Sequence, residues 1–382
     1  MLGMVDRPDS QPDDFTYSDA LPVGHQRGRG AQLNPGNRFE STRLHVLGEH
    51  LDLLHAQQIE SDDEEGKKVV THVYHDRTQT LINHVESPDV GMTWTLNAYR
   101  GCEHGCIYCY ARPFHEHLGF SSGLDFETRI MAKFDAPRLL KQELNKRSWK
   151  GEPIHMSGVT DCYQPLEKKL RLTRQCLEIM TECRQPVTII TKNHLVTRDI
   201  DLYSELARYN AACVGVSVTS LDSSVAAKLE PRASSPQRRL EAIRKLSEAG
   251  VPVFVMVAPI VPGLTDQEVP AILKAVSEAG AVWSGYTIMR LPYQVKALFL
   301  DWVRREYPQK AQRMESQLRS MRNGRLNESE FGSRMRGEGL MAQQICSVFK
   351  VFSSRYGLDK PWPHLSSEHF RRPGELSQGV LF

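Results

Sequence analysis

The chain has 382 residues, 40% of them hydrophobic and 25% charged, with a formal net charge of +2. These proportions exclude a chain too polar to collapse, and the length allows a sizeable core with extensions on one barrel-sized domain. Eight cysteines are too few for a disulfide scaffold, and neither a bilayer-spanning apolar run nor a basic-then-apolar leader at Met1 is present. The expected setting is therefore cytoplasmic and reducing, with no membrane contact.

Residues 1–90 carry 8 Lys and Arg against 16 Asp and Glu, whereas residues 290–382 carry 16 against 9. The asymmetry fits a nucleic-acid-facing end or two solvated surfaces that attract each other. Residues 1–90 read as an acidic, partly disordered extension, the first twenty residues showing no apolar period. From Arg27, RGRGAQLNPGNRFE has too much glycine for a helix. It reads as an arm near residues 27–40 that wraps the domain or contacts an anion through Arg27 and Arg29, or as a solvated basic tail. Asp62, Asp63, Glu64 and Glu65 read as a solvated loop, and VVTHVYHD alternates as an edge strand does.

Over residues 91–293, short apolar runs alternate with amphipathic segments of helical length. TWTLNAY, PIHMSGV, PVTIITK, ACVGVSV, VPVFVMVAPIV and GYTIMRL are the predicted strands, with helices predicted near 137–146, 173–183, 198–208, 236–249 and 266–279. Ser, Thr, Asp or Pro at several starts, and Gly250 and Gly280 as stops, support those bounds. Six β/α repeats in unbroken order predict parallel strands with right-handed crossovers, in a barrel or a doubly wound sheet. Functional groups in such folds sit at the carboxyl ends of strands. Here those ends hold residues 102–109, then Thr160 and Asp161, then Thr191, Lys192 and Asn193, then Ser217 and Thr219, then residues 259–262, and finally Arg290.

Cys102, Cys106 and Cys109, in NAYRGCEHGCIYCYARP, put three thiols within eight residues. A [4Fe-4S] cubane normally takes four thiolates, so three would leave one iron open to a small molecule. Zinc would need a fourth ligand, which His104, His115 or His117 could supply, and three free buried thiols would need no special spacing. The spacing, with Tyr108 before the last cysteine, resembles that of the radical S-adenosylmethionine (radical SAM) superfamily. LNAYRGCEHGCIYCYARPFHEHLG, GLDFETRI and SPDVGMTW further resemble a bacterial group of that superfamily related to spore photoproduct lyase.

The resemblance implies a partial (β/α)6 TIM-like barrel with an N-terminal arm and a C-terminal helical extension. It implies an enzyme that reductively cleaves S-adenosylmethionine at a [4Fe-4S] cluster and abstracts hydrogen from a substrate, with damaged or modified nucleic acid as one class. By the same resemblance, Cys102, Cys106 and Cys109 ligate the cluster, and Tyr108 and Tyr110 lie beside it and the adenosyl group. Thr160 and Asp161 meet the methionine amino group, Lys192 and Ser217 the methionine carboxylate and the ribose, and Ala258 meets adenine through its backbone. Core packing is the other reading of the tyrosines, and a surface salt bridge that of Lys192. A reducing partner such as flavodoxin or ferredoxin is implied. Cys162 lies near, though not at, the position of the lyase's hydrogen donor, and packing is its other reading. Asp125, Glu127 and Lys133 read as a solvated loop or as facing the substrate.

Residues 294–382 read as a basic extension, with two or three long helices over 294–357 carrying Arg304, Arg305, Arg319, Arg322, Arg334 and Arg336. Nucleic-acid phosphates would use such a surface, although no nucleic-acid module is recognisable. From Lys360, PWPH begins an irregular cap. A metal-stabilised nucleic-acid-binding protein without chemistry, and radical modification of a protein substrate, stay open on sequence alone.

Overall fold

The computed structural model describes residues 20–22, 26–39 and 69–376. Residues 1–19 of the stretch expected to be disordered, and the acidic run Asp62, Asp63, Glu64 and Glu65, lie outside them. Strands among the described residues are β1 (Ala20–Pro22), β2 (Leu33–Pro35), β3 (His72–His75), β4 (Ile82–His84), β5 (Trp94–Leu96) and β6 (Tyr99–Arg100), followed by β7 (Arg129–Ala132), β8 (Ile154–Met156), β9 (Val187–Thr191), β10 (Ala212–Ser217), β11 (Val253–Ile260) and β12 (Trp283–Ile288).

β5, β8, β9, β10, β11 and β12 lie side by side in chain order, each neighbouring pair parallel. β4 joins antiparallel at the β5 edge, and β4 and β12 do not pair with each other. The chain is thus an α/β protein with a partial (β/α)6 TIM-like barrel, and all six predicted strands are present. β10, ACVGVS, is buried at every position. A strand covered on both faces needs apolar or small residues in succession rather than alternation. At Gly215 a Cβ would meet the Phe254 ring at 2.3 Å, so glycine is what lets that ring cross the strand. Full burial of each of Ile154, Val187, Val214, Val253 and Ile272 contributes about 1.5–3 kcal/mol.

Helices Ala136–Leu144, Leu172–Cys183, Ile200–Ala207, Pro236–Glu248 and Val269–Glu278 form the crossovers, each within a few residues of its predicted place. Ser235 shows why they start there. Its hydroxyl accepts the Arg238 amide at 3.4 Å and Pro236 takes the first helical turn, where its missing N–H costs nothing.

A second sheet has the order β3–β7–β6. VVTHVYHD does form an edge strand, β3, but it pairs with β7, which the sequence does not predict. TWTLNAY is split between β5 in the barrel and β6 in this small sheet. The split swings the chain off the barrel wall into loop 101–128, which returns on β7.

Among the described residues the C-terminal extension has three long helices, Val295–Glu306, Pro308–Ser320 and Gly339–Arg355, and a short one, Pro373–Leu376. Several of its arginines already have partners within the chain. Arg322 is 1% exposed and donates to the carbonyls of Ile288, Met289 and Arg334. Arg334 holds Asp89 and Ser87, while Arg305 and Arg319 pair with Asp301 and Glu315. Much of the positive charge is spent inside the chain. Beyond the long helices Trp362 rests on Phe254 and Trp283, with ring centroids 4.6 and 4.8 Å away, and caps the amino-terminal end of the barrel. Among the described residues no helix is long and apolar enough to cross a membrane.

Candidate active site

Loop 101–128 is braced from behind by two fully buried charges. Arg112 donates Nε to the Cys106 carbonyl at 3.0 Å and Nη2 to the Gly105 carbonyl at 3.2 Å, and its Nη1 reaches the carbonyls of Ser122 and Gly123. Five donors in a fixed fork suit a guanidinium to tying down a loop. Arg112 also pairs with Glu127 at 2.6 Å, both side chains being 0% exposed. The Glu127 carboxylate accepts the amides of Gly30 and Ala31 at 3.0 and 2.9 Å, and Arg29 donates to the Glu127 carbonyl at 2.8 Å. The arm therefore wraps the domain. A Cβ on Gly30 would lie 2.0 Å from the Gly105 carbonyl oxygen, so glycine permits the close approach. Glu127 and Lys133 are buried, which corrects the solvated-loop reading, while Asp125 holds the Ser121 amide at 3.0 Å.

Cys102 and Cys106 are buried and Cys109 is partly exposed. Burial raises the Cys102 thiol well above its ordinary value, the charge of Asp161 adding to the effect, and pushes Cys106 up to about 12. Such thiols stay protonated until a cation stabilises the thiolate, so metal loading releases protons. Among the described residues no three His, Cys, Asp or Glu side chains converge on a point that one ion can occupy. Tetrahedral zinc needs that convergence, whereas a cubane offers each thiolate its own iron. The candidate fourth ligands turn elsewhere. His104 Nδ1 meets Asp161 at 3.2 Å and its Nε2 meets Asn193 at 3.2 Å. His115 packs on Phe120 and Phe126, and His117 on Phe39. The donor set fits a cluster.

A cavity of about 1720 Å³ runs from this loop into the barrel. It is lined by Cys102, Cys106, Cys109, Tyr108, Tyr110, Thr160, Asp161, Lys192, Ser217 and Ala258, which is every predicted site residue except Cys162. The radical SAM superfamily sequence model matches residues 96–276, the stretch that holds all of them. Residues 96–276 are a radical SAM domain.

The chain is also similar to uncharacterized proteins and to solved structures. An uncharacterized protein of Mycobacterium tuberculosis strain H37Rv is 34% identical over 220 residues, 56% of this chain and 64% of that protein. One of Methanocaldococcus jannaschii is 33% identical over 178 residues, 47% of this chain and 64% of that protein. The chain spans slightly less than two thirds of the curated relatives it matches. A structure of spore photoproduct lyase complexed with dinucleoside spore photoproduct aligns with a TM-score of 0.54 at 16% identity, over 74% of this chain and 78% of that one. A point variant of the lyase aligns at 0.50 and 15% identity, over 77% and 82%. Likeness at this identity establishes the shared fold.

The floor of the radical SAM domain's cavity rests on Glu230, which the sequence reading missed. Its side chain is fully buried and ion-paired to Arg239, and it accepts the hydroxyls of Tyr108 and, at 2.7 Å, Thr219. Burial alone would raise its pKa, but Arg239 and Lys192 hold it below the ordinary carboxylate value. Lys192 stays charged against the effect of burial, with the Glu230 carboxylate nearby. Its ammonium makes no hydrogen bond or ion pair among the described residues and faces the Tyr108 ring at 5.9 Å. Thr160 donates to the Tyr99 carbonyl at 3.1 Å, and Tyr110 to the Gly158 carbonyl at 2.6 Å.

Two expectations are corrected. Cys162 is 1% exposed, belongs to the apolar core of the barrel and does not line the cavity, so it packs. Asp161 does line the cavity, but its oxygens already accept Tyr163 N, Thr191 Oγ1 and Lys192 N, each at 2.8 Å, besides meeting His104. It clamps the second and third strand ends to the cysteine loop and has no capacity left for an ammonium. Burial would raise its pKa, yet His104 and these hydrogen bonds pull it down from 3.8 to about 2. Because the folded value is the lower, Asp161 stabilises the fold fully above pH 3.8 and ceases to as the pH falls through about 2. Asp161→Asn should cost the metal-free protein roughly 2 kcal/mol near neutrality. Urea unfolding followed against pH should show the gap from wild type closing across that acid window.

Proposed function

We propose that this chain is a radical SAM enzyme that cleaves S-adenosylmethionine reductively at a [4Fe-4S] cluster on Cys102, Cys106 and Cys109, then abstracts hydrogen from a substrate in the same cavity. The observation behind this reading is that the three thiols and the polar ends of successive parallel strands face one cavity. When bound, the reduced cluster supplies the electron for the cleavage, and the hard chemistry belongs to the cofactor pair. The chain's share is binding and exclusion. The free ammonium of Lys192 suits the methionine carboxylate. The lone pairs of Thr160 remain open to the methionine ammonium, the Ser217 hydroxyl suits the ribose, and the Ala258 backbone suits adenine. Tyr108 and Tyr110 wall the site on either side of Cys109, and Glu230 fixes the phenol of Tyr108. A small reductant such as flavodoxin or ferredoxin, in the cytoplasm, is the partner in this reading.

Nucleic acid is the substrate class the cavity rim favours. Tyr110, Phe114, Tyr293 and Phe331 are each about half exposed and all border the cavity. Arg38 lies over Tyr293 at 3.9 Å and Arg334 over Phe331 at 4.4 Å. Exposed rings stack bases, and the guanidiniums beside these rings are already held by Glu116 and Asp89. The lyase with the same fold is itself complexed with a dinucleoside photoproduct.

The test is anaerobic reconstitution with iron and sulfide, reduction, and addition of S-adenosylmethionine, following the cluster's electron spin resonance and 5′-deoxyadenosine release. A signal altered by S-adenosylmethionine and product release that vanishes in Cys106→Ala support the reading, and damaged oligonucleotides should then raise turnover where peptides do not. A cluster indifferent to S-adenosylmethionine, or stoichiometric zinc in its place, sinks it.

A further inference from the structure

Arg290 stands just beyond β12, at the carboxyl end of the sixth parallel strand, and lines the same cavity as the three thiols. Its main chain is fixed on both sides. Arg322 donates to the carbonyls of Ile288 and Met289 at 2.7–3.1 Å, and the Leu291 amide donates to the Leu326 carbonyl at 3.2 Å. The side chain, in contrast, makes no hydrogen bond or ion pair among the described residues. Its ring neighbour is Tyr110, whose centroid is 6.0 Å from the guanidinium carbon, and Tyr110 directly follows the cluster ligand Cys109.

No local acid completes this cation. The charge of Asp89 reaches it, but the Asp89 oxygens are taken by Arg334 Nε at 2.5 Å and the Gly332 amide at 2.8 Å. Burial and the repulsion of Arg334 both disfavour the charged form of Arg290. A largely desolvated guanidinium without a counter-charge is costly, and an anion relieves the cost. Of the cavity's other cations without an ion pair among the described residues, Arg336 lies over the Tyr286 ring at 4.0 Å, and Lys192 stands on the third strand, where the proposed cofactor's carboxylate would engage it. A second anion would therefore fall to Arg290.

We propose that Arg290 holds an oxyanion of the substrate, a phosphate or a carboxylate, through the planar two-pronged geometry that a guanidinium offers to either. That this anion belongs to a substrate rests on the radical SAM reading above.

The test is calorimetric titration of the anaerobically reconstituted full chain, with S-adenosylmethionine bound so that Lys192 is engaged. Inorganic phosphate is the probe in one arm and acetate in the other. At least one probe binds wild type, and the arm that binds names the oxyanion. Arg290→Met weakens that binding about tenfold or more, Arg290→Lys restores part of it, and both variants keep wild-type affinity for S-adenosylmethionine. Unchanged anion binding in Arg290→Met, or no binding of either probe to wild type, overturns the proposal. Loss of S-adenosylmethionine affinity in Arg290→Met also overturns it, by assigning the guanidinium to the cofactor's carboxylate. The same titration on cluster-free protein separates the two claims. Anion binding that depends on Arg290 there keeps the anion site standing even where the reconstituted protein fails to cleave S-adenosylmethionine, the outcome that sinks the enzyme reading.

Discussion

Glu127→Ala should destabilise the protein by about 3–5 kcal/mol and loosen its hold on iron. The carboxylate neutralises Arg112 in a site where both side chains are 0% exposed, so removing it leaves a buried guanidinium without a counter-charge and two arm amides, of Gly30 and Ala31, without acceptors. Each loss alone costs a kilocalorie or more, and a domain's net stability is only about 5–15 kcal/mol. The effect is not confined to stability, because Arg112 also carries the carbonyls of Gly105 and Cys106. Denaturant unfolding should register the first effect, and iron retained per chain after a brief exposure to air the second. Glu127→Gln keeps an acceptor for only one of the two arm amides and should fall between. A Glu127→Ala protein with wild-type stability and iron content would show that the brace is dispensable.

Glu230→Ala should cost a similar 3–5 kcal/mol, for a different reason. Four groups lose their anion together: Arg239, the hydroxyls of Tyr108 and Thr219, and the field that keeps Lys192 charged. Replacing both members of the pair, Glu230→Leu with Arg239→Met, should cost less than either single change, because it leaves no buried charge behind. The double variant should fold yet bind S-adenosylmethionine more weakly, since Tyr108 and Lys192 lose their support. Unfolding free energies of the four members of the cycle give the coupling. Additive costs would refute the buried-pair account.

The barrel was legible because its strands are continuous apolar runs separated by capped helices, a pattern set locally and by burial on both faces. The cysteine loop was legible because cluster ligation imposes a spacing. What escaped depends on residues far apart in the chain. Glu127 sits in the polar stretch GLDFETRI and looks solvated until residues 30 and 31, nearly a hundred positions earlier, deliver their amides to it. β7 is four residues long and gains its identity from β3 and β6 on either side. Arg322 looks like a surface charge on a basic helix, but its long apolar stem and five donors let it serve carbonyls in the interior. Cys162 is next to a strand end in sequence, yet its side chain joins the apolar core and not the cavity lining.

Six strands do not close on themselves, so the wall between β12 and the β4–β5 hairpin is made of loop. A strand ladder yields only when many backbone hydrogen bonds fail together. Across this seam Gly332 and Arg334 bond to the short side chains of Asp89 and Ser87. Opening it is therefore a local event, far cheaper than unfolding the barrel.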